Sequence, residues 1–141
     1  MMISAETKLE VQEAVARAYQ ALDNHNARAW AESFTKDGAF DANYGVYHGR
    51  EAIEAFIQAH IDKGAEDGAM HTATNFVVEG NNDAPVIHGY IVKFGMDRRP
   101  VEILGCAKLT GHLTRQSGRW LFEKLALAIT LTAPSPATLV K

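Results

Sequence analysis

Residues 101–132 read VEILGCAKLTGHLTRQSGRWLFEKLALAITLT, and this stretch decides the fold class. Val101 to Arg115 and Trp120 to Thr132 are rich in Val, Ile, Leu, Thr and Phe, side chains that suit a pleated, half-buried surface. Gln116-Ser117-Gly118 between them is a hairpin-grade turn, and so short a connection demands antiparallel neighbours. Toward the N-terminus, Val86 to Phe94 and Thr72 to Glu79 repeat the composition, set off by Asp97-Arg98-Arg99 and Gly80-Asn81-Asn82-Asp83. The expectation is a four-strand antiparallel meander. Gly89, Gly105 and Gly111 interrupt these runs, and long strands bend at glycines or bulges. A bent sheet folded over helices makes a cone with a cavity.

The helices precede the meander. From Ser4 to Asp23, Val11, Val15, Ala18 and Leu22 recur at helical spacing, with Glu10, Glu13, Arg17 and Gln20 on the wet side. Tyr19 and Asp23 are four apart and lie one above the other beside that stripe. Asn26 is placed to cap a second helix, Ala27 to Phe34, with Trp30 and Phe34 as an i, i+4 apolar pair. Lys36-Asp37-Gly38 signals a turn before a β-like stretch, Ala39 to Tyr47. A third helix starts near Gly49-Arg50 with Ile53, Phe56, Ile57 and Ile61 on one face, and Gly64 suits its C′ position. Helices followed by a meander spell one α+β domain over residues 1–132, with a Pro-containing tail at 133–141.

Composition narrows the function classes. The 141 residues are 47% hydrophobic and 22% charged, ordinary for one globular domain. A net charge of −3 supplies no basic field for nucleic acid or anionic lipid. The single cysteine, Cys106, excludes an intrachain disulfide and a multi-cysteine metal site. MMISAETKLE carries no apolar run of signal-peptide length, and no uncharged stretch is long enough to span a bilayer, so the expected compartment is the cytoplasm. The six histidines form no HxH or HExxH string, no phosphate-binding glycine loop is present, and neither a metal nor an organic cofactor is expected.

Five pieces then converge in order and spacing: Tyr19-Gln-Ala-Leu-Asp23; Trp30 through Phe34 to Asp37-Gly38; Tyr47-His-Gly49-Arg50 through Ile53 to Phe56; His71-Thr-Ala-Thr-Asn75; and Gly118-Arg-Trp120-Leu-Phe122. Over Val11 to Leu127 the chain resembles the SnoaL-like branch of the nuclear transport factor 2-like superfamily. The resemblance implies a cone-shaped curved sheet on three N-terminal helices, an apolar pocket and a homodimer or higher oligomer. It implies no single activity, since relatives include dehydratases, steroid isomerases, polyketide cyclases and proteins without catalysis.

His71-x-x-x-Asn75 is similar to the dehydratase and dehydrochlorinase members, in which that histidine is the general base. Strand alternation puts His71, Ala73 and Asn75 on one face, with the small Ala73 leaving room for a ligand. Imidazole suits proton abstraction because it titrates near neutrality. The plainer reading is a strand-end histidine satisfied by backbone carbonyls. In the same relatives a carboxylate ending the first helix orients the histidine, the role open to Asp23; the alternative is that Asp23 caps the second helix. Tyr19 sits four before Asp23 where relatives more often use five, so it reads either as a substrate donor or as a core tyrosine. The resemblance places Gly111 where relatives often carry a third polar group. A competing steroid-isomerase scheme makes Asp41 the base, with Tyr44 or Tyr47 as donors. Trp30 completes the candidate lining. The reading is a cofactor-independent lyase or isomerase acting on a small hydrophobic cyclic molecule through His71 and Asp23, with Asn75, Tyr19, Tyr47, Asp41 and Trp30 as binding residues. The rival is a non-catalytic ligand-binding or dimerisation module.

Overall fold

Ser4 starts the first helix: its Oγ accepts the Thr7 backbone N–H at 3.1 Å, and α1 runs Ala5–Asp23. This computed structural model describes residues 2–132; the expected tail at 133–141 lies outside the described residues. Val11, Val15, Ala18 and Leu22 are all buried, as their spacing predicts. α1 ends in a Schellman motif, with His25 in the left-handed region at φ 58°. The His25 N–H goes to the Leu22 carbonyl and the Asn26 N–H to that of Ala21. The chain turns there, and Asn26 caps α2, Ala27–Glu32, by accepting the Ala29 N–H at 3.0 Å.

α2 is shorter than its apolar pair suggests. Phe34 opens β1, Phe34–Asp41, rather than closing the helix. The Ser33 carbonyl accepts the Phe122 N–H at 2.9 Å and the Phe34 carbonyl accepts Arg50 Nε at 3.2 Å, so tertiary partners draw the chain out of the helix. The rings of Trp30 and Phe34 still meet, centroids 5.8 Å apart. The turn expected at Lys36-Asp37-Gly38 is instead an irregularity inside β1, where its register against the last strand shifts. Gly38 is needed there, since a Cβ would lie 2.9 Å from the Phe122 carbonyl oxygen.

The stretch 39–47 divides between β1 and β2, Val46–His48, which pair antiparallel. α3, Arg50–Asp62, ends in a second Schellman motif around Gly64 at φ 81°, as its sequence position predicts. Four long strands follow: β3 (Ala69–Gly80), β4 (Pro85–Gly95), β5 (Glu102–Gln116) and β6 (Arg119–Thr132). They form the expected antiparallel meander, and β1 adds to it in parallel beside β6. The result is one curved, open six-stranded sheet, order β2-β1-β6-β5-β4-β3. Its concave face presents Ile87, Leu109, Leu113, Phe122 and Leu125 to Val11, Val15, Trp30 and Ile53, all 2% exposed or less. Each such side chain contributes about 1.5–3 kcal/mol by burial. The cavity lies between the helices and the sheet, lined by residues of both. Among the described residues, no helix is long and apolar enough to cross a membrane.

Candidate active site

Asp23 is the last residue of α1, at the negative end of the helix dipole, an unfavourable place for a carboxylate without donors. His71, near the start of β3, supplies them. Its backbone N–H donates to Asp23 Oδ2 at 3.0 Å, and its ring Nδ1 lies 2.7 Å from Oδ1. The side chains of His71 and Asp23 are 9% and 17% exposed. Asn26, not Asp23, caps α2. An ionised carboxylate only accepts, so the short contact calls for a proton on Nδ1, and in the neutral imidazole the lone pair is then on Nε2. Among the described residues Nε2 has no protein partner, and His71 forms part of a cavity wall.

That cavity holds about 210 Å³. Leu22, Trp30, Phe40, Ile91 and Leu127 give it apolar walls, and Glu66, Lys93 and the Tyr44–His60 pair give it polar ones. A cavity of about 150 Å³ suffices for benzene, so this one takes a substituted ring. A larger cleft of about 330 Å³ lies between α1 and the β5–β6 turn. Its charged groups, Arg17 and Glu13 among them, are solvated, and it lacks a buried titratable pair, so the smaller cavity is the better site.

Tyr19 and Trp30 both reach the cavity wall. Their rings meet edge-on at 5.1 Å, and Tyr19 lies 5.2 Å from the His71 ring. Among the described residues neither Tyr19 Oη nor Trp30 Nε1 has a hydrogen-bond partner. Burial pushes the Tyr19 phenol well above its ordinary range, with the charges of Glu66 and Asp23 adding to it, so it stays a proton donor.

Several expected positions fall elsewhere. Asn75 is exposed rather than facing the cavity, because β3 bulges between Thr74 and Val77 with Asn75 at φ 59°. The bulge breaks the alternation that would have aligned it with His71. Asp41 does not line the cavity: Phe40 on β1 and Ala42 just after it are the buried lining residues, and Asp41 Oδ1 accepts the Asn43 N–H at 2.9 Å in a local turn. Tyr47 stacks on Phe56 at 3.9 Å, one layer behind the wall, while Tyr44 takes the wall position. Gly111 faces the packed core, where a Cβ would meet Phe122 at 3.0 Å and Ile87 at 3.1 Å. A carboxylate on the cavity wall comes instead from Glu66, in the loop between α3 and β3.

Glu66 is only 4% exposed. Its Oε1 accepts Lys93 Nζ at 3.1 Å, and Nζ also donates to the Ala65 carbonyl at 2.8 Å. The His25 ring nitrogen sits 2.9 Å from the Glu66 carbonyl, tying the loop to the end of α1. Glu66 Oε2 is buried and, among the described residues, unpartnered. Nothing in the Gly64–Gly68 loop marked Glu66. Lys93 did carry a signal, since it continues the inward face of Ile87, Gly89 and Ile91 on β4. Among the described residues no group of three or more His, Cys, Asp or Glu could hold a metal ion.

The class of protein is thus an α+β domain with an open, curved sheet and a carboxylate-backed histidine on its cavity wall. The SnoaL-like domain model matches residues 4–126, and the chain belongs to that family. No curated protein matches it. Among solved structures it is similar to a protein of unknown function with a cystatin-like fold from Nostoc punctiforme PCC 73102. The TM-score is 0.86 at 24% identity, over 95% of this chain and 98% of that one. ActVI-ORFA from Streptomyces coelicolor superposes with a TM-score of 0.80 at 18% identity, over 93% and 100%. A putative scytalone dehydratase from Novosphingobium aromaticivorans DSM 12444 gives 0.74 at 18%, over 92% and 91%. At these identities the likeness speaks for the fold alone.

Proposed function

We propose that this chain is a cofactor-independent lyase or isomerase that removes a proton from carbon in a small, hydrophobic, cyclic substrate. The observation that carries the reading is the free Nε2 of His71, held by the 2.7 Å contact of its other nitrogen with Asp23, on the wall of a ring-sized cavity. The name of the putative scytalone dehydratase lends it support as a family analogy.

In this scheme the substrate carbon sits against Nε2, beside a carbonyl that acidifies its C–H. Nε2 takes the proton, and the C–H electron pair moves into the ring as an enolate. Asp23 stabilises the imidazolium. The enolate oxygen meets the unspent donors Tyr19 Oη–H and Trp30 Nε1–H. Collapse then either expels a leaving group from the neighbouring carbon or returns the proton at another carbon. General base catalysis of this kind contributes about 10²–10⁴-fold, with orientation in the apolar cavity adding to it.

The test is carbon–deuterium exchange in D₂O with a panel of one- and two-ring cyclic ketones such as 2-tetralone, followed by NMR. Wild-type protein should accelerate exchange at the acidic carbon, and His71→Ala should lose it while still unfolding cooperatively, at a Tm lowered by the loss of the Asp23 contact. Binding of the panel without exchange would favour the non-catalytic module. Two copies are further proposed to pair through the convex sheet face, where Met70, Val77 and Tyr90 are exposed on neighbouring strands. Light scattering of the wild type against Tyr90→Glu tests this, and a monomeric wild type would refute it.

A further inference from the structure

Glu66 is a carboxylate placed where it costs most, and the surrounding structure spends several contacts on keeping it there. The Schellman turn at Gly64 and Ala65, the His25 ring on the Glu66 carbonyl and Lys93 on the Ala65 carbonyl fix its backbone from three elements. Lys93 also satisfies Oε1. The other oxygen, Oε2, is buried and without a partner among the described residues, and Glu66 lines the same cavity as His71 and Tyr19. A buried acceptor left unsatisfied is costly, and one held rigidly in that state is pre-organised for a donor arriving from outside.

We propose that Glu66 Oε2 receives a hydroxyl of the ligand, so that the cavity selects hydroxylated rings over bare or alkylated ones. The proposal rests on the cavity being the substrate site and adds the substrate's chemical class to that reading. Charge favours a neutral ligand. Asp23 and Glu66 bring two carboxylates against the single ammonium of Lys93, so a carboxylate-bearing ligand would be repelled. Glu66 is a positioning residue here: it fixes the ring by its hydroxyl while the acidic carbon meets His71. It also supplies, from a loop, a carboxylate on the cavity wall.

The experiment uses three probes of nearly equal shape, 2-naphthol, naphthalene and 2-methoxynaphthalene, titrated into the full chain and read by quenching of tryptophan fluorescence, to which Trp30 in the wall contributes. Wild-type protein should bind 2-naphthol at least about tenfold tighter than either donor-free probe, the size of one hydrogen bond to a charged acceptor. The preference should fall to within about twofold in Glu66→Leu/Lys93→Met, which removes both charges together and so leaves neither buried alone. Glu66→Gln, which keeps an acceptor oxygen, should retain part of the preference and guards against a fold defect in the double variant. His71→Ala should retain it in full. Equal binding of all three probes, no binding of 2-naphthol, or a preference that survives in the double variant but vanishes in Tyr19→Phe or His71→Ala would each overturn the assignment. The two readings fail separately. Carbon–deuterium exchange without a hydroxyl preference removes Glu66's role alone, and a hydroxyl preference without exchange removes the catalysis alone.

Discussion

Replacing Asp23 by Asn changes one atom and should reverse the direction of one hydrogen bond. In the wild type the carboxylate accepts from both His71 N–H and His71 Nδ1–H. Asn can accept only through Oδ1. If Oδ1 stays with the backbone N–H, the amide NH₂ faces Nδ1 and forces the ring proton onto Nε2. Charge-assisted bonds contribute about 1.5–3 kcal/mol each and ordinary ones about 1, so exchanging two of the former for two of the latter costs about 2 kcal/mol. For a chain of this size that is a fall in Tm of roughly 6–8 °C. The effect on base catalysis is larger, because the lone pair is no longer presented to the cavity. In a serine-protease triad the equivalent replacement lowers turnover by about 10⁴-fold through the same tautomer error. Long-range ¹⁵N–¹H NMR of the imidazole reads the tautomer without any substrate. The account requires Nδ1–H in the wild type and Nε2–H in Asp23→Asn. A wild-type His71 protonated on Nε2 would refute the reasoning outright.

Three further substitutions probe the surroundings. Tyr19→Phe removes a buried hydroxyl that has no partner among the described residues, so stability at neutral pH should hold or rise by up to about 1 kcal/mol. Because burial raises this phenol's pKa above its unfolded value, its contribution is complete below about pH 10 and is lost as pH rises further. The wild type should therefore lose stability there more steeply than Tyr19→Phe in pH-dependent urea melts, by up to about 1.4 kcal/mol per pH unit. Gly111→Ala drives a methyl against Phe122 and Ile87 and should cost about 1–3 kcal/mol in denaturant unfolding, with Gly111→Asp worse, since neither group reaches the cavity. Asn75→Gly accepts the left-handed bulge without strain and should leave both melting and probe affinity unchanged, whereas a tenfold affinity loss would return Asn75 to the site.

The element order was legible because each long segment carries its own period. The stripe of Val11, Val15, Ala18 and Leu22 and the four β-rich runs are local signals, and they fixed the helices and the meander. Asp23 and His71 were also legible, through a resemblance and through the ends of the elements that carry them. What was not legible depended on tertiary bonds. Phe34 reads as helical beside Trp30, yet β6 and Arg50 take the carbonyls that a helix would need. Asn75 obeys strand alternation on paper, and one bulge cancels it. Asp41 and Tyr47 fall on a hairpin whose register no short-range pattern defines. Glu66 lies in a polar loop and is buried only because His25, Lys93 and a helix C-terminus converge on it. Loops acquire such roles from what packs around them.

The claim that joins these results is that a ring carbon of the ligand rests against His71 Nε2. A crystal structure with 2-naphthol or a cyclic enol mimic bound measures that contact directly. The account predicts the ring in the cavity beneath Trp30, with a carbon about 3–3.5 Å from Nε2 and Nδ1 still on Asp23. A ring bound instead in the cleft between α1 and the β5–β6 turn, or a His71 Nε2 turned onto a protein carbonyl, would contradict it.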